Sequence, residues 1–324
     1  MAAQKLKIAC VGLGRMGSRH ALNFLNRTPR AELVAVFTPA PHEIEWARKE
    51  LEPHGVTIYT NYEEMMKHPE LAAVMIATVT AAHADEAIMA IEADKHVLCE
   101  KPLSISTEIS QSVVDTASRK PHLKPSAFRS QTCDKLDPSG FFVAYAESSG
   151  GIFVDCTIHD IDLALWYFGQ DSVVKSISAV GITAIAPDLR KHKDVDNGVG
   201  IVEFWGDKIA FFYACRMMAG GVHDMTEIIG TRGKVAVNTN PSSSLVEVHE
   251  SNGIRREVPQ DYYARFEYAF VTMTNEFTAA CLDNTELPFK LSGAVKALTI
   301  GSALQESMNS GKKINFDETG RRID

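Results

Sequence analysis

Nowhere does the chain carry an apolar run long enough to cross a membrane. The longest, Leu71 to Val79, falls far short of the roughly 20 residues such a helix needs. A basic surplus is missing too. Lysines and arginines number 33 against 41 aspartates and glutamates, a net charge of -8, which excludes the dense cationic stripe that neutralises nucleic-acid phosphates. The six cysteines (Cys10, Cys99, Cys133, Cys156, Cys215 and Cys281) lack any Cys-x-x-Cys spacing, so no structural zinc site is expected. They read as reduced thiols acting as small hydrophobes. The N-terminus has Lys5 and Lys7 where a signal peptide would develop its apolar core, so a cytoplasmic location is expected. Internal repeats and low-complexity segments are absent. What is present is ordinary for a folded protein: 324 residues, 45% hydrophobic and 23% charged, or about two domains.

From Lys7 to Arg119 the pattern alternates strand and helix. Strands are expected at Lys7 to Val11, Leu33 to Phe37, Thr57 to Tyr59, Ala72 to Ala77 and His96 to Cys99. Helices are expected after Gly17, from about His42, after a capping Asn61, over Ala82 to Ala93 and over Thr107 to Arg119. Such βαβ units build a parallel sheet covered on both faces. The second half differs. A helix from about Asp155 to Phe168 precedes strands at Val173 to Ile185, Gly198 to Trp205, Lys208 to Cys215, Thr226 to Ile229, Lys234 to Asn238 and Leu245 to Glu250. The Gly206-Asp207 pair suits a two-residue hairpin turn, and short connections imply antiparallel strands. Helices at about Tyr263 to Leu282 and Leu291 to Ser310 close the chain.

Gly12-x-Gly14-x-x-Gly17 follows the first strand and opens a helix. Gly12 permits the tight turn, Gly14 lets backbone approach a pyrophosphate, and Gly17 lets helix pack on strand. The helix N-terminus offers N–H groups to the phosphates. This context points to dinucleotide binding in a Rossmann domain. The acid expected at the end of the second strand is missing. Glu32 begins that strand, and Thr38 stands where the carboxylate belongs. NAD and NADP both stay open, with the balance toward NADP, which Arg15 and His42 would assist.

Glu100-Lys101-Pro102 follows the fifth strand, at the end of the sheet where ligands bind. Further on, Gly150-Gly151 precedes Asp155, His159, Asp160 and Asp162. At 100° per residue, Asp155, His159 and Asp162 share a helical face. An Asp–His pair spaced i,i+4 orients an imidazole and stabilises its charged form. Taken alone, Asp155 also reads as a helix cap and His159 as a packed core residue.

Together, Val11 to Gly17, Thr80 to His83, His96 to Pro102, Asp155-x-x-x-His159-Asp-Ile-Asp162 and Glu227 to Gly233 resemble the Gfo/Idh/MocA oxidoreductase family across nearly the whole chain. The resemblance implies an α/β Rossmann domain (1–122) and an α+β domain with a mostly antiparallel open sheet (123–324). That sheet often supports dimers or tetramers. It implies catalytic roles for Lys101, Asp155 and His159, which also bind substrate, with His223 near a position where the family often has a substrate-side residue. Cofactor contacts are expected from Gly12, Gly14, Arg15, Met16, Gly17, Thr38, Thr78, His83, Glu100 and Lys101. Asp196-Asn197 reads as a solvated turn more readily than as a substrate contact, and Arg129 and Tyr145 are further cleft candidates.

One stretch departs from the family. Only Lys120 to Pro125 separates the helix ending near Arg119 from the segment beginning at Phe128, where the family has a further strand and helix. Pro121 and Pro125 disfavour a central strand. The expectation is a Rossmann sheet without its last parallel strand. The leading expectation for function is hydride transfer between NAD or NADP and a secondary alcohol of a sugar or cyclic polyol, similar to inositol 2-dehydrogenation. The alternative is a catalytically impaired cofactor-binding or regulatory homologue. Metal-dependent hydrolysis by Asp155, His159, Asp162 and His223 lacks a supporting motif, and no metal is expected.

Overall fold

The computed structural model describes residues 4–103, 106, 110–111, 125–127, 133–230, 233–286 and 290–323. The chain divides into two units, Met1–Arg129 with Tyr268–Val295, and Ser130–Glu267 with Lys296–Asp324. The chain passes between these units three times, at 129/130, 267/268 and 295/296. A late helical segment joins the first unit because its apolar face, with Phe270, Met273 and Phe277, is buried.

The first unit holds six parallel strands: β1 (Leu6–Val11), β2 (Ala31–Phe37), β3 (Thr57–Tyr59), β4 (Ala73–Ile76), β5 (His96–Cys99) and β6 (Pro125–Ala127). Their order is β3-β2-β1-β4-β5-β6, the doubly wound Rossmann arrangement. Ile8, Ala9, Cys10 and Val11 are all fully buried, as a central strand covered on both faces requires. Helices α1 (Gly17–Asn26), α2 (Pro41–Glu50), α3 (Tyr62–Met65) and α4 (Thr80–Glu92) supply the crossovers. Asn61 caps α3 as expected, accepting from Glu64 N at 2.9 Å. Pro41 opens α2, a position where no N–H is needed.

The expected loss of the last strand is corrected by β6, which pairs in parallel with β5, Val97 opposite Pro125. Pro125 is tolerated because it starts a short strand at the sheet edge. The helix expected over 107–119 and the link 120–124 lie outside the described residues, apart from helical Ser110 and Gln111.

The second unit is built on a five-stranded sheet. It contains β7 (Cys133–Lys135), β8 (Val174–Ile182), β9 (Asn197–Phe204), β10 (Lys208–Met218) and the short strand Ile314–Asn315. All neighbours are antiparallel except β10 with β7, which matches the mostly antiparallel expectation. Pairing between β9 and β10 resumes at Phe204 opposite Lys208, so the hairpin connection takes three residues rather than two. Trp205 leaves the ladder and donates its indole N–H to Asp317 O at 3.0 Å. Side chains alternate along β10: Ala210, Phe212 and Ala214 are buried, while Ile209, Phe211 and Tyr213 are exposed, the two-residue period of a strand. The buried set packs with Phe153, Ile161, Leu165 and Leu304. Among the described residues, no helix is long and apolar enough to cross a membrane.

Candidate active site

The glycine loop has the geometry its sequence implies. Gly12 has φ +82°, and a Cβ there would sit 2.8 Å from Thr78 Cγ2. A Cβ on Gly17 would lie 1.9 Å from Gly12 O, so no side chain fits between loop and helix. Arg15 and Met16 lie in the loop just before α1. The backbone is thus held open at the N-terminus of α1, and the loop fits a dinucleotide pyrophosphate.

Thr38 follows β2 as expected, yet a carboxylate reaches the same corner. Glu43, in the first turn of α2, accepts the Thr38 hydroxyl proton on Oε2. It accepts from Leu13 N on the same oxygen at 3.0 Å. A Cβ on Gly14 would lie 3.5 Å from Glu43 Oε1. The motif places its acid at the strand end, whereas Glu43 lies in the following helix. The balance toward NADP rested on that missing charge and is withdrawn.

Glu100, buried at the end of β5, meets His20 Nε2 of α1 at 2.7 Å through Oε1. Its Oε2 accepts from Lys101 N at 3.2 Å. Burial alone would raise the Glu100 carboxyl. The bond from His20 and the charges of His20 and Lys101 more than offset it, and the group lies below its ordinary range. His20, which no sequence motif singles out, fixes the backbone turn that presents Lys101. His83 is buried, its Nδ1 2.9 Å from Pro102 O and its Nε2 3.1 Å from Thr78 O. It ties the Lys101-Pro102 turn to the end of β4. Thr78 donates to Glu86 Oε2 at 2.6 Å. Burial pushes Glu86 up to about 7.

In the second unit the single helix expected from Asp155 to Phe168 is two pieces, Ile152–Asp155 and Ile158–Phe168. Asp155 ends the first, and His159 lies in the first turn of the second. Both are buried. A Cβ on Gly151 would overlap Gln305 at 2.3 Å, the close approach expected of the glycine pair. Asp155 Oδ2 accepts from Arg216 Nη2 at 3.2 Å. Arg216 Nη1 also donates to Asp194 at 2.7 Å. Burial would lower the Arg216 guanidinium, but the negative charge around it holds it above its ordinary range. No local pattern links Arg216 to Asp155, so sequence reasoning does not find it.

His223 Nε2 donates to Asn238 O at 3.1 Å, so Nδ1 is the nitrogen left for any substrate. Asp196 is buried and accepts from the amides of Ala184, Ile185 and Ala186. It organises a loop rather than a solvated turn or a substrate contact. Tyr145 stacks on Phe141 at 5.5 Å, and Arg129 lies outside the described residues. Among the described residues, no group of three or more His, Cys, Asp or Glu is placed to hold a metal ion.

Residues 6–123 match the family model described as "Oxidoreductase family, NAD-binding Rossmann fold", and residues 124–236 match the GFO/IDH/MocA C-terminal domain. The chain is 29% identical to scyllo-inositol 2-dehydrogenase (NAD(+)) of Bacillus subtilis over 341 positions, covering 97% of each. That span exceeds the 324 residues present, so the relative carries residues this chain lacks. It is 23% identical to myo-inositol 2-dehydrogenase of Thermotoga maritima, covering 97% of this chain and 99% of the other. The solved scyllo-inositol dehydrogenase of Lactobacillus casei, with bound NAD(H) and scyllo-inositol, superposes with a TM-score of 0.89 at 28% identity, over 96% of this chain and 99% of that one. Strand order, glycine loop and the two matched domains together establish that the chain belongs to the GFO/IDH/MocA family of NAD-binding oxidoreductases.

Proposed function

We propose that the protein oxidises a secondary alcohol of an inositol-like cyclic polyol, or reduces the corresponding ketone, with NAD(H). The observation that carries this is the match, over nearly all of both chains, to a dehydrogenase solved with NAD(H) and scyllo-inositol. The backbone N–H groups of the Gly12 to Gly17 loop would hold the pyrophosphate, with Thr78 and the Glu100-Lys101 turn further along the strand ends. When bound there, the nicotinamide supplies the hydride acceptor or donor.

The chain's own residues manage the proton and the charge. His159 takes the hydroxyl proton as the carbon loses hydride, a role suited to an imidazole near neutral pH. Asp155, anchored by Arg216, orients His159 and stabilises its charged form. Lys101 donates to the reacting oxygen and stabilises the negative charge that develops on it. In the reverse direction His159 returns the proton. The outward face of the second unit's sheet, with exposed Val180, Ile182, Ile209 and Phe211, fits a homo-oligomer interface. The six free thiols suit a cytoplasmic setting.

The test follows NADH absorbance across a panel of inositols and sugars for wild type, Lys101→Ala and His159→Ala. Turnover by wild type and loss in both variants is expected. Full activity in both variants would overturn the assignment. Cofactor binding without turnover across the panel would favour a regulatory homologue.

A further inference from the structure

We infer that Glu43 is the residue that selects NAD over NADP, standing in for the carboxylate that Thr38 displaces from the end of β2. The inference rests on reading the Gly12 to Gly17 loop as the dinucleotide site.

Glu43 is the third residue of α2, after Pro41 and His42. A glutamate at that position ordinarily folds back to cap its own helix. Here Thr38 does part of the capping instead, since Ala40 N donates to Thr38 Oγ1 at 3.1 Å. The Thr38 hydroxyl in turn donates its own proton to Glu43 Oε2, which also receives Leu13 N. Two hydrogen bonds from two separate loops pin one oxygen. The other, Oε1, accepts no hydrogen bond among the described residues and lies toward Gly14, the glycine at which backbone approaches the pyrophosphate. The side chain is only 17% exposed, so its position is set by the fold.

A fixed carboxylate beside the loop can accept from a ribose 2′-hydroxyl, as the usual strand-end acid does. It would oppose a 2′-phosphate, since like charges held together repel. His42 stands against this reading. Its Nε2 lies 4.0 Å from Oε1, and when protonated it would partly offset the repulsion. But His42 is 81% exposed, so solvent screens its charge more than that of Glu43.

The experiment titrates NADH and NADPH separately by fluorescence against wild type, Glu43→Gln and Glu43→Ala, with thermal unfolding as a folding control. Wild type is expected to bind NADH at least ~10-fold more tightly than NADPH, the scale of a hydrogen bond to a charged group. Both substitutions should shrink that ratio to within about threefold, because the charge that repels the phosphate is gone. Glu43→Gln is the decisive variant: its amide oxygen can still accept from Thr38 and Leu13, so it preserves the fold. A purely structural role would weaken both cofactors equally and leave the ratio unchanged, which overturns the inference. A wild type that prefers NADPH, or shows no preference, also overturns it. If wild type binds neither cofactor, the dinucleotide reading itself fails and the inference falls with it.

Discussion

His20 and Glu100, 80 residues apart in sequence, meet in the interior of the first unit with Nε2 2.7 Å from Oε1. The carboxylate they secure is the one whose other oxygen holds Lys101 N. The loop expected to present the catalytic lysine is therefore anchored from α1, the helix that the glycine motif opens.

Replacing His20 with Leu should cost roughly 3 kcal/mol at pH 7, because it leaves a buried carboxylate without its partner. The sign with pH follows from the depressed Glu100 value. The pair's contribution is present above the ordinary carboxylate range and is lost as pH falls through the folded value. Urea midpoints at pH 7 and pH 4 check this. The gap between wild type and His20→Leu should narrow at pH 4.

Glu86 works in the opposite sense. Burial, and to a smaller extent Asp85, raise it from 4.5 to about 7, although the Thr78 bond opposes the shift. Its protonated form is favoured in the folded state, so it contributes stability below pH 4.5 that is lost as pH rises through about 7. Glu86→Gln should therefore be more stable than wild type at pH 8, by on the order of 1 kcal/mol once solvent screening of a half-buried group is allowed for. At pH 4 the two should unfold alike. Thermal unfolding at the two pH values decides it.

Arg216 pairs with both Asp155 and Asp194 while 2% exposed at its side chain. Arg216→Met should destabilise the second unit by roughly 3 kcal/mol, since two buried carboxylates lose their cation. Adding Asp194→Asn should recover part of the loss. Turnover of the proposed polyol substrate by Arg216→Lys should fall more through kcat than through KM if Asp155 needs this anchor. Steady-state kinetics on the folded variant provide the check.

The exposed row on β10 predicts self-association. Ile209→Lys with Phe211→Lys should abolish that association without unfolding the chain, because both side chains face away from the core. Light scattering before and after the substitutions tests this. A wild type that is monomeric across a concentration series would contradict it.

Local patterns make much of the first unit legible. The glycine loop, the Asn61 cap and the buried strand β1 depend on neighbours a few residues away, so their signals are contiguous. Thr38 is located by its place after the second strand and Glu43 lies five residues on, but no motif singles out a glutamate in the following helix. The link runs through a hydroxyl and through Leu13, 30 residues distant. The last strand is misjudged from sequence because a proline counts against a central strand, and only the sheet order places β6 at an edge. Asp155 and His159 are singled out as candidates by their spacing. Their helix is broken at Cys156 and Thr157, which spacing alone does not reveal.

The sequence by itself determined most of the strand and helix order of the first unit, the glycine loop, and the candidates Lys101, Asp155 and His159. These follow from backbone sterics and short-range periodicity, which any stretch of chain expresses on its own. Tertiary structure decided which partners the largely buried charges meet: Glu43 with Leu13 N, Glu100 with His20, Asp155 with Arg216. Burying a charge is unfavourable until a partner arrives. Those partners come from distant segments, so the pairings exist only once the sheets have formed.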